Sequence, residues 1–136
     1  MSLALMQREL EGITILTLNG RLVAGVEVSD LRDRFESLIQ EKIVRIILDL
    51  ANVTRIDSSG LGVLVQGYSS FGSAGGALKL LNLNERGAQL LILTRLSTLF
   101  QIFNDEQSAI NSFFPDREVK HFDILEFVKS NENEHA

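Results

Sequence analysis

The chain has 136 residues, 45% of them hydrophobic and 23% charged, with a formal net charge of −5 at pH 7. That length and balance fit one globular domain with a real core and exclude a wholly disordered chain. The absence of cysteine rules out a disulfide framework, a thiolate metal site and a thiol nucleophile. The thirteen Lys and Arg form no run, which argues against nonspecific nucleic-acid binding.

The opening Met1–Met6 is apolar but meets Gln7, Arg8, Glu9 and Glu11 too early for a signal-peptide core. No apolar window approaches the roughly 18 residues that a membrane span requires. A cytoplasmic protein with no membrane span is the expectation.

In chain order, residues 3–9 and 12–19 read as two strands with a tight hairpin at Glu11-Gly12, and Asn19-Gly20 marks the next turn. Val28, Leu31, Phe35, Leu38 and Ile39 recur at helical spacing from Ser29 to Glu41, with Ser29 or Asp30 as the cap. Ile43–Leu50 is almost continuously apolar, as expected of a strand covered on both faces. A second helix runs from Ser59 to Ser73, with Leu61, Leu64, Val65, Tyr68 and Phe71 on one face. Gly72, Gly75 and Gly76 form its exit.

A strand at Ala77–Leu83 follows, then a helix from Glu85 to Thr94, a short strand at Phe100–Phe103 and a helix over Asp105–Phe113. The order β-β-α-β-α-β-α-β-α predicts an α/β sandwich, with helices on a mixed, mostly parallel sheet of about five strands and an opening β-hairpin. Residues 1–114 form the expected domain and 115–136 a C-terminal extension. Pro115 ends the last core helix. Asp116–Val128 reads as a helix or a strand, and Ser130–Ala136 is polar and expected to fray. The apolar Phe122, Leu125, Phe127 and Val128 require a surface, either the domain itself or a second copy in a homodimer. Leu96 and Leu99 read either as core, the favoured reading, or as part of a partner face.

The junction Asn52-Val-Thr-Arg-Ile-Asp-Ser-Ser-Gly-Leu-Gly62 carries the functional signal. A buried strand turns there, through Asp57, Ser58, Ser59 and Gly60, into an amphipathic helix. Helix starts carry partial positive charge and unpaired N–H groups, so a phosphate is tolerated there. Asp and Ser also lead the preferences for plain helix caps, so spacing alone leaves both readings open. Gly60 and Gly62 either permit close approach of a partner or relieve crowding against the neighbouring strand, and packing is the favoured reading at Gly62.

The Asp57-Ser-Ser-Gly-Leu61 pentapeptide resembles the signature of STAS domains, the fold of bacterial anti-sigma-factor antagonists. The resemblance extends over residues 3–114 through the order of elements, Gly75-Gly76-Ala-Leu-Lys-Leu80, and Leu93-Thr-Arg-Leu96 with Leu99-Phe100. It implies that Ser58 is a phosphoacceptor and that Asp57, Ser58, Ser59, Gly60 and Leu61 meet the partner. The implied partners are an anti-sigma factor with serine-kinase activity and a serine phosphatase that resets the switch. The chain would be substrate and ligand, with no cofactor, metal or catalytic residue of its own. One position departs from the pattern: Gly20-Arg-Leu-Val23 replaces the acid of Gly-x-Leu-Asp, which bears on partner identity.

Other readings fare worse. A serine hydrolase needs a histidine beside Ser58, but the only histidines are His121 and His135, and the Gly-x-Ser-x-Gly elbow is absent. Gly72–Gly76 lacks the Gly-Lys-Ser/Thr ending of a phosphate loop. Asp49 and Asp57 share one strand end but lack the acidic pair and lysine of a phosphoaspartate site, so Asp49 reads as a loop brace. The nearer rival is a STAS module that binds without switching, in a lipid-transport, transporter-regulatory or stress-signalling complex. The chain's length fits a free-standing domain better than a transporter fragment.

Overall fold

The computed structural model describes the backbone of residues 3–135 and the side chains of residues 3–130. Its elements are β1 (Ala4–Leu10), β2 (Ile13–Leu22), α1 (Val26–Gln40), β3 (Arg45–Ile56), α2 (Ser58–Ser73), β4 (Ala77–Leu81), α3 (Glu85–Leu93), β5 (Ile102–Phe103), α4 (Glu106–Asn111) and α5 (Ile124–His135). The strands form one sheet in the order β1-β2-β3-β4-β5. The β1–β2 hairpin is antiparallel and every later pairing is parallel, because each crossover carries a helix. The mixed α/β architecture agrees with the sequence reading, with one helix more than expected.

The alternation of side chains along the strands builds two cores. Leu16, Leu18, Ile46, Leu48, Leu78 and Leu80 face α1, α2 and α3 in the larger one. Ile13, Ile15, Ile47, Leu81 and Phe103 face the other way and are covered by Ala109 and Ile110 of α4. Val28, Leu31, Phe35 and Leu38 form the buried stripe of α1, and Phe35 meets Phe71 of α2 edge-to-face at 5.3 Å. Each fully buried Leu or Phe contributes about 1.5–3 kcal/mol, so this face dominates the stability.

Several boundaries differ from the sequence reading. β3 does not stop at Leu50 but continues to Ile56, and β2 continues with it to Leu22. The pairing slips twice, at Gly20/Arg21 opposite Val53/Arg55 and at Thr17/Asn19 opposite Asp49/Asn52, and β3 holds one extra residue at each. The bulge after Asp49 puts Leu50 and Val53 on the same face. Asp49 Oδ1 accepts from the Ala51 N–H at 3.1 Å and from Asn82 Nδ2 at 3.3 Å, which braces the irregularity.

Helix α1 begins three residues before the expected cap. Gly25, at φ 115, precedes it, and no side chain caps it; the Ser29 N–H donates to the Gly25 carbonyl instead. Helix α3 ends where the sequence placed its end, with Thr94 as the C-cap; Leu93 is 80% exposed, whereas Leu96 and Leu99 pack against the core as expected. Beyond Pro115 the chain is irregular, then forms α5, whose Ile124, Phe127 and Val128 pack on the larger core beside α3. The backbone stays helical through His135, where fraying from Ser130 was expected; Ala136 and the His135 side chain lie outside the described residues. Among the described residues no helix is long and apolar enough to cross a membrane.

Candidate functional site

The strand-to-helix junction is held by one carboxylate. Asp57 is the N-cap of α2 in extended conformation, and its Oδ1 accepts from the Gly60 N–H at 2.9 Å. Its other oxygen, Oδ2, accepts from the Ala24 N–H at 3.0 Å. The Asp57 N–H donates to the Leu22 carbonyl at 3.3 Å. The end of β2, the loop before α1 and the start of α2 are thereby joined through one residue. These bonds stabilise the ionised carboxylate: the N–H of Ala24 first, then that of Gly60, with smaller help from the Ser59 N–H and the Arg55 charge, hold Asp57 below the usual carboxylate range.

Gly60 explains why the junction is tight. A Cβ at this position would lie 2.3 Å from the Leu22 carbonyl oxygen and 3.0 Å from the Leu22 side chain. Only a residue without a side chain lets α2 start this close to β2. Gly62 is different. A Cβ there would meet nothing within 4 Å, so the packing role favoured from the sequence is not what the structure shows.

Of the five residues expected at the partner surface, the structure exposes two, half-buries one and buries two. Ser58 and Ser59, the first two residues of α2, are exposed, and Asp57 is half-buried beside them. Gly60 is buried and Leu61 is only 6% exposed; both form the floor under the serines. Of the first-turn N–H groups of α2, that of Gly60 is already taken by Asp57 Oδ1 and is no free donor for a group on Ser58. Val23, the departure from the family pattern, lies half-buried next to Ala24, whose N–H Asp57 holds.

Sequence reasoning missed a second junction of the same build. Asn84 caps α3 by accepting from the Gly87 N–H at 2.8 Å, while its Nδ2 donates to the Val53 carbonyl at 3.0 Å. The signal was present: Asn84-Glu-Arg-Gly87 repeats the cap-to-glycine spacing of Asp57-Ser-Ser-Gly60. The residues considered for other chemistry do not assemble. Asp49 and Asp57 each serve separate backbone and amide donors, and His121 is exposed in the segment before α5. Among the described residues no three His, Cys, Asp or Glu side chains group as metal ligands would.

Comparison with known proteins agrees with this geometry. The family model described as the STAS domain matches residues 4–109. An anti-sigma F factor antagonist from Paenibacillus polymyxa is 30% identical over 112 residues, covering 81% of this chain and 94% of the relative. Among solved structures, a Thermotoga maritima protein named as a candidate anti-sigma factor antagonist superposes with a TM-score of 0.75 at 27% identity, covering 79% of this chain and 92% of that one. SpoIIAA of Bacillus, in its phosphorylated form, gives a TM-score of 0.64 at 20% identity over 81% of this chain and 99% of its own, a likeness of fold. With its exposed serine pair at a stapled helix start and a family match over most of its length, the chain belongs to the STAS domain family.

Proposed function

We propose that this protein is an anti-sigma-factor antagonist that binds an anti-sigma factor with serine-kinase activity while Ser58 is unmodified and leaves it once Ser58 carries phosphate. The observation that carries the reading is the position of Ser58: an exposed hydroxyl at the first residue of a helix whose start Asp57 holds in place. The relative from Paenibacillus supports the antagonist role, and the existence of a phosphorylated form of SpoIIAA on the same fold is consistent with the switch.

In the modifying step, Ser58 Oγ forms a bond to the γ-phosphorus of ATP as the bond to the β–γ bridging oxygen breaks. The hydroxyl proton passes to a base of the kinase and ADP departs. ATP and base belong to the partner; this chain supplies the acceptor. A serine phosphatase returns the hydroxyl.

The energetics place the effect on the complex rather than on the fold. Phosphate adds about −1.5 to −2 charges. The helix start favours that charge by roughly 0.3–1 kcal/mol, and the neighbouring Asp57 carboxylate opposes it. Those contributions nearly cancel on an exposed surface. A partner that buries this surface instead has to desolvate an unpaired dianion, which costs several kcal/mol or more. Release follows from that asymmetry.

The test is to incubate the protein with the candidate anti-sigma kinases of its host and ATP, and to map phosphate by mass spectrometry. Phosphate on Ser58 is the expected result. If no cognate kinase modifies it, the protein is a STAS module that binds without switching.

A further inference from the structure

Beside the serine end lies a cavity of about 320 Å³, lined among others by Thr54, Arg55, Asn84, Arg86 and Leu90. Its two arginines stand apart from several others on the surface. Arg8 pairs with Glu106, Arg117 with Glu11, and Arg32 donates to Gln66. Arg55 and Arg86 are exposed, and among the described residues neither makes a hydrogen bond or ion pair; the Arg55 charge only reaches Asp57. Asn84 does not compete for them, because its amide is committed to the Val53 carbonyl. Two guanidiniums with unfilled donors thus border one concavity, on a chain whose net charge is −5.

We propose that the Arg55–Arg86 cavity seats a carboxylate-bearing segment of the protein partner that meets the α2 start. This rests on the reading that the Ser58 end is a partner-binding face, and it names the chemistry of that partner. Guanidinium forks match carboxylates in two-point geometry, and Leu90 gives the seat an apolar wall. An acidic partner is repelled by most of a net-negative surface, so a local pair of free cations orients it. The seat also couples to Ser58. Three residues span at most about 11 Å, so a phosphate on Ser58 adds negative charge close to the seat and repels an acidic partner from it.

The experiment titrates the whole 15N-labelled protein with a hexaglutamate peptide, capped at both ends, with hexaglutamine and inorganic phosphate as comparison probes. Shifts centred on residues 53–58 and 84–90 are expected with hexaglutamate alone. The double variant Arg55→Glu/Arg86→Glu weakens binding by about tenfold or more. Lys42→Glu/Arg45→Glu makes the same change in net charge at the other end of β3, in a different cavity, and weakens it by about twofold or less. Unchanged unfolding midpoints verify that both variants fold. The seat is overturned if both double variants weaken binding alike, if the shifts centre elsewhere, or if inorganic phosphate reproduces them at equal concentration. Phosphate found on Ser58 together with a peptide indifferent to Arg55 and Arg86 discards the seat and leaves the switch. The converse discards the switch alone.

Discussion

Two helix starts meet at the candidate site, and they are built in opposite ways. Helix α2 carries its own cap, Asp57, and a buried glycine at its third residue. Helix α1 has no side-chain cap and begins after Gly25 in a conformation that side chains rarely adopt. The loop leading into α1 is held by its neighbour instead, through the Ala24 N–H on Asp57 Oδ2. One carboxylate therefore orders both starts. A cap read as a local signal in the sequence is also a tertiary contact, and the serines it positions sit on the better-anchored helix.

The strongest way to break this contrast is to fill Gly60. Gly60→Val forces a side chain into the Leu22 carbonyl and is expected to cost about 3 kcal/mol or more. That corresponds to a fall in the unfolding midpoint of roughly 10 °C. Gly62→Val, in open space, should cost about 1 kcal/mol or less, and equal losses at the two glycines would refute the close-approach account.

Next in size is the carboxylate itself. Asp57→Ala removes the cap and the Ala24 contact together, and should cost about 1–2 kcal/mol in denaturant unfolding. Asp57→Asn keeps one acceptor and should lose about half as much, because a single amide oxygen cannot serve both N–H groups as the carboxylate does. Amide exchange at Ala24 should accelerate in both variants. If Ala24 is unaffected, the shared-cap account is wrong.

The pH dependence sharpens the same comparison. Asp57 is depressed in the folded state, so its contribution is fully present above the ordinary carboxylate value of about 4 and is lost as pH falls through its lower folded value. The stability gap between wild type and Asp57→Ala should therefore hold from pH 7 to about pH 5 and shrink in more acidic solution. A gap that widens with acid has the wrong sign for this assignment.

A smaller effect is expected far from the site. Lys79 is buried on the α4 face, donates to the carbonyl and hydroxyl oxygens of Ser112, and lies 4.1 Å from the Phe113 ring centroid. Burial pushes its ammonium below the usual lysine range. Lys79→Met removes a desolvated charge along with its bonds, so the two changes offset and stability should move by about 1 kcal/mol or less.

Much of this was legible in the sequence, and the exceptions share a cause. Hydrophobic period separated strands from helices, and Asp57-Ser-Ser-Gly60 marked the α2 start because its chemistry is local. Asp49 and Asn52 looked like the end of β3, since no local pattern distinguishes a bulge braced by Asn82 from a loop. The α1 start escaped for the same reason: its order comes from a residue 33 positions away in the chain. Lys79 read as an ordinary strand position, because its burial depends on α4 packing from the far face. The inward turn of Leu61 follows from its place on the apolar face of α2, which outweighs its place in the serine signature.

The central claim is tested most directly by measuring calorimetrically how tightly the cognate anti-sigma factor binds the wild type, Ser58→Ala and Ser58→Asp. The account predicts that Ser58→Ala binds within about threefold of wild type and that Ser58→Asp is weaker by about tenfold or more. Undiminished binding by Ser58→Asp would contradict it.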